Sequence, residues 1–205
     1  MNNQNDAKDI FLRTWPSIVK ECRLVLGSEL HYQAMIYHCF RTYGKVPIEQ
    51  IGMNVKMWID SPNSELFKKY GKDKHPDFQG GFEPIPDIVL FKPSINGDWR
   101  RRNYENTIKK MLMAIEVKAS ENLNKRINPK SIIDDILKLD AHRDEVRSLG
   151  SSVIPTVIIV DTAPDEKERM LPSSLERVKN SAEKNSVGLF YFSQTDTAMV
   201  EWNKK

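Results

Sequence analysis

Apolar and polar residues follow two rhythms along this chain. Over residues 10–26 and again over 29–43 the apolar positions recur every three or four residues, the spacing of one helix face. The first stretch is interrupted at Trp15-Pro16, which predicts one or two short helices, with residues 1–8 a frayed polar tail. Ser28, after Gly27, is placed to cap the second helix, and Gly44 to close it. Residues 45–59 alternate with period two, predicting a strand with Ile51, Met53, Val55 and Met57 on one face. Residues 62–81 are polar, rich in turn formers, and read as a loop. Two apolar runs, 85–91 and 111–119, then predict strands joined by a polar connector, 92–110. Asn128-Pro129 opens a helix whose stripe is Ile132, Ile136, Leu139, Val146 and Leu149, stopped by Gly150, with Asp134, Asp135 and Lys138 on its solvated face. Residues 153–160 form a β-branched strand, and 171–184 a helix capped by Pro172-Ser173. Residues 187–192 and 198–202 complete the strands. Helix, strands, helix, strand, helix, strand is the order of an α/β protein, an α/β/α sandwich with a mixed central sheet.

Size and charge narrow the classes. With 205 residues, 40% of them hydrophobic, one core suffices, so the expectation is a single domain over 1–205: a tail at 1–8, N-terminal helices at 9–44, and a sheet with flanking helices at 45–205. The formal charge of +3 gives no globally basic surface, so any nucleic-acid contact must come from local patches. Cys22 and Cys39 have no metal-ligand spacing and read as buried thiols of a cytoplasmic protein. The first residues are polar, unlike a secretory signal, and no apolar stretch approaches the ~20 residues that span a bilayer, so no membrane partner is expected. His31, His38, His75 and His142 do not cluster, and no Gly-x-Ser-x-Gly, Walker or dinucleotide fingerprint is present.

Candidate chemistry sits inside the two apolar runs. Asp87 interrupts one, and Glu116 and Lys118 the other. Burying an unpaired charge costs several kcal/mol, so three such groups in strand-like surroundings call for pairing or a metal. Strand alternation points Glu116 and Lys118 to the same face. If the Asp87 strand pairs with theirs, two carboxylates meet, and a divalent cation relieves their repulsion. Hard oxygen donors suit Mg²⁺, with Mn²⁺ able to substitute, and Lys118 can orient a water or stabilise charge on a phosphate. The connector holds Arg100, Arg101 and Arg102 beside Trp99 and Tyr104, a basic segment with stacking side chains suited to a phosphate backbone. Lys130 is a further phosphate candidate.

Pro86-Asp87 followed by Glu116-Val117-Lys118 resembles the PD-(D/E)XK motif of restriction-endonuclease-like nucleases. An upstream helix glutamate, Glu29, a helix after the Glu-x-Lys strand and a further strand extend the resemblance over roughly residues 28–193. The resemblance implies a restriction-endonuclease-like fold and a Mg²⁺-dependent endodeoxyribonuclease, of restriction or defence type. It implies Asp87, Glu116, Glu29 and the main-chain oxygen of Val117 as metal ligands, with Lys118 assisting the attacking water. DNA is the expected partner, and the same residues serve RNA equally. Cutting both strands of a duplex takes two sites, so a homodimer is expected. The other class in view is a catalytically silent nuclease-fold subunit that binds DNA or helps assemble a larger complex.

Overall fold

The computed structural model describes residues 1–76 and 80–202. The chain folds as an α/β protein with one six-stranded open sheet flanked by helices. Strands β1 (Ile51–Met53), β2 (Ile88–Phe91), β3 (Met111–Ala119), β4 (Ile154–Asp161), β5 (Gly188–Ser193) and β6 (Thr197–Val200) lie side by side in chain order. The sheet is mixed. β3, β4 and β5 run parallel, and β1, β2 and β6 pair antiparallel at the two sides. Parallel neighbours need crossovers, which are supplied by helix α5 (Pro129–Ser148) between β3 and β4 and α6 (Pro172–Lys184) between β4 and β5.

Two apolar layers result. Helices α1 (Gln4–Cys22) and α2 (Glu29–Thr42) bury Phe11, Trp15, Ile18, Ile36 and Phe40 on one face, against Ile115, Val117 and Phe190. On the other face α5 and α6 bury Ile132, Ile136, Leu139 and Val178 against Ala114, Val157 and Ile159. Strand β4 is buried along its whole length, as a central parallel strand covered on both faces requires.

Five local expectations are corrected. Residues 1–8 are no frayed tail: Asn3 accepts the Asp6 N–H at 3.0 Å and caps α1, and Ala7 is buried. Pro16 does not break that helix, because the stripe Phe11, Trp15, Ile18, Val19 and Cys22 is buried on both sides of it, and that burial outweighs the ~3 kcal/mol an interior proline costs. The strand expected at 45–59 shrinks to three residues. Asn54 takes a left-handed conformation (φ 49°) and turns the chain over, so Ile51 joins the α1/α2 layer while Val55 and Met57 join the other. Within the expected loop at 62–81, Ser64 caps helix α3 (Glu65–Lys72), which buries Phe67; the loop reading for 77–79 lies outside the described residues. The α6 cap is not Pro172-Ser173. Leu171 is the cap residue, without a side-chain bond, and Pro172 occupies the first turn. The 92–110 connector holds helix α4 (Tyr104–Lys110) and two 3-10 turns, Pro93–Ile95 and Arg101–Asn103.

Candidate active site

The β2–β3 pairing decides where the charges meet. Ile88 lies opposite Ile115, so Asp87, the residue before β2, falls beside Glu116. Asp87 is buried, and its Oδ2 accepts the Val117 N–H at 2.7 Å. Val117 points into the α1/α2 layer, which sends Glu116 and Lys118 towards α5. There the Lys118 Nζ lies 2.9 Å from Glu116 Oε1 and 3.3 Å from Asp135 Oδ2. Glu29, in the first turn of α2, reaches the same ammonium from the opposite layer at 3.6 Å. Both helical layers thus converge on one cation near the carboxyl end of β3.

Three carboxylates surround this single ammonium, with the buried Asp87 beside Glu116. Burial, and then the neighbouring Asp87, push the Glu116 carboxyl up to about 8. Burial also raises Asp87, to about 6, against the opposing Val117 hydrogen bond and the Lys118 charge. Glu29 is raised by burial as well. Desolvation works against the Lys118 charge, yet Glu116, Asp135 and Glu29 together outweigh it and hold the amine above its ordinary range. The site has more negative charge than its ammonium can balance.

No family model, curated protein or solved structure matches this chain. Among the described residues no three acid, imidazole or thiol groups are disposed to hold a metal ion as they stand; three of the acids turn towards the Lys118 ammonium. The donor chemistry nevertheless fits a hard divalent cation: carboxylate oxygens in excess, with raised proton affinities that a second positive centre would relieve.

The structure brings Asp87, Glu116, Val117, Lys118 and Glu29 together, and adds Asp135. Asp135 was expected on a solvated face. It lies three residues after Ile132 and four before Leu139, both buried, and that spacing along the apolar stripe is the signal that marks it. The basic segment disperses. Arg100 is held by Asp98 in a two-pronged pair at 2.7 Å, while the Arg101 guanidinium lies 5.6 Å from the centre of the Trp58 ring and bonds Glu83. Arg102 is exposed in the same 3-10 turn as Arg101. The half-buried Trp99 lays its ring parallel to Phe91 at 5.5 Å. Lys130 is exposed in the first turn of α5, and its five-residue offset turns it away from Asp135.

Beside Glu116 and Asp135 a cleft of about 350 Å³ opens between α5 and residues 82–86. Trp58, Phe82, Pro84 and Leu139 form much of its wall, and His142 also lines it. Sequence reading passed over Trp58 and His142 because neither stands in a motif.

Proposed function

We propose that this chain is a Mg²⁺-dependent endodeoxyribonuclease of the restriction-endonuclease-like class, of restriction or defence type. One observation supports this above the rest: Lys118 and three carboxylates from three separate elements meet beside an Asp87 that is fixed on the Val117 amide. Asp87, Glu116, Glu29 and the main-chain oxygen of Val117 would hold the ion. Bound there, Mg²⁺ supplies Lewis acidity towards a phosphoryl oxygen and a more acidic water.

The protein's own groups do the rest. Lys118 orients the attacking water and stabilises charge growing on the phosphate, in a site where low dielectric makes that charge count. Asp135 positions Lys118 from α5. Arg101, which lies over the Trp58 ring and bonds Glu83, is placed to receive a flanking phosphate when it exchanges Glu83 for it. A duplex cut on both strands would use two copies of the chain.

The test is incubation of pure protein with supercoiled plasmid and Mg²⁺ or Mn²⁺. Nicking is expected, and Asp87→Asn or Lys118→Ala should reduce it by ~100-fold or more while far-UV circular dichroism stays unchanged. A second reading, a silent nuclease-fold subunit that binds DNA, is favoured by the ion pairs that already neutralise Lys118. DNA binding without nicking under either metal selects that reading. Unfolding of both variants would instead make the cluster a structural ion pair.

A further inference from the structure

The cleft beside Glu116 has a composition of its own. Its walls are aromatic and aliphatic: Trp58, Phe82, Pro84, Pro86 and Leu139. The Trp58 ring is held on three sides. Its Nε1 donates to Asp60, Arg101 lies 5.6 Å from the ring centre, and Gly81 packs so close that a Cβ there would stand 2.5 Å from Cζ2. His142, also lining the cleft, is 1% exposed, and its Nε2 has no hydrogen-bond partner. Burial holds this imidazole neutral, with its pKa lowered to about 4. An orphaned nitrogen of this kind is uncommon in a folded interior, and it belongs to a residue that lines the cleft.

The occupant must satisfy three conditions. At about 350 Å³ the space is at the small end of ligand pockets, enough for one ring system and not for a stack of them. Glu83, Glu116 and Asp135 line it against one lysine, Lys138, an excess of acids that disfavours a phosphate inside. Fixed aromatic and proline surfaces favour a flat, uncharged ring, and an imidazole nitrogen asks for a hydrogen-bonding edge. We infer that this cleft receives a single unstacked nucleobase of the substrate strand, stacked on Trp58 and hydrogen-bonded at its edge by His142. The inference rests on the nuclease reading for its substrate, and it sharpens that reading: the enzyme acts on DNA with a base turned out of the helix next to the cut, as at a single-stranded, flapped or mismatched position.

Two measurements separate this inference from its parent. Saturation-transfer NMR with the four deoxynucleosides, which carry no phosphate, should label base protons in preference to sugar protons on wild-type protein. Affinity should fall ~10-fold or more in Trp58→Ala, recover in Trp58→Phe, and fall in His142→Phe with the fold intact by circular dichroism. In cleavage assays on oligonucleotides, an abasic site at one position next to the cut should slow the wild type ~10-fold and leave Trp58→Ala unaffected. Nucleoside labelling without any cleavage sustains the pocket and removes the nuclease. Cleavage that ignores abasic sites at every flanking position, or absence of base-proton labelling, overturns the pocket and leaves the nuclease standing.

Discussion

Lys118 keeps its charge because acids from β3, α5 and α2 face it, and two of them, Glu116 and Glu29, in turn hold their protons more tightly than solvent-exposed carboxylates do. This has a consequence for stability. Glu116 in the fold titrates at about 8, against 4.5 when unperturbed, so as pH rises the unfolded chain gives up this proton first. Its contribution is then fully present below pH 4.5 and is lost as pH climbs to 8. Asp87 adds a loss of the same sign between 3.8 and about 6. Glu116→Gln removes the larger of these slopes, so the unfolding free energy of the variant minus that of the wild type should increase from pH 5 to pH 8 in urea titrations. A difference that stays constant across that range would show that Glu116 is ionised throughout. At this scale the sequence is informative where charge contradicts its surroundings: Asp87, Glu116 and Lys118 stand out because strand runs have only two faces. Asp135 and His142 do not, because a helix turns each residue by about 100° and a polar side chain at the margin of an apolar stripe reads as solvated.

The elements that could be read from sequence are those whose own caps and periodicity agree with the fold. Ser28 on α2, Asn128-Pro129 on α5 and the β-branched run of β4 are of this kind. Those that misled have a local signal that tertiary burial overrides. Pro16 is the clearest case: alanine there is favoured in a helix interior by ~3 kcal/mol, while proline's stiffening of the unfolded chain returns at most ~1. Pro16→Ala should therefore stabilise the protein by about 2 kcal/mol, read as a higher urea midpoint at unchanged slope. Helix α3 illustrates the reverse, a short element held by a distant partner. Buried Glu145 of α5 accepts the Asn63 N–H at 2.8 Å and the Ser64 N–H at 2.7 Å, which no local pattern announces. Glu145→Ala should cost ~2–3 kcal/mol and raise amide exchange through α3 ahead of the rest of the molecule; uniform exchange would show that α3 is held by its apolar contacts alone.

For the whole molecule, a charge of +3 gives little general attraction for a polyanion, and the acids around Lys118 oppose one locally. In chelator, with no divalent ion present, neutralising one of these acids should tighten DNA binding several-fold; Asp87→Asn measured by fluorescence anisotropy checks this, and weaker binding would place the DNA on another face. None of the described helices is long and apolar enough to cross a membrane, both sheet faces are covered by helices, and charged groups gather where α2, β3 and α5 meet. That arrangement makes α5 a ruler. Asp135 and His142 are seven residues apart on one rigid rod, about 10 Å by helical rise, and Glu145 follows three residues later to anchor the rod to α3. The interval between the Asp135 carboxylate that pairs with Lys118 and the His142 imidazole is thus set by backbone geometry, and a one-residue insertion between them would rotate the imidazole out of register while leaving the charged centre whole.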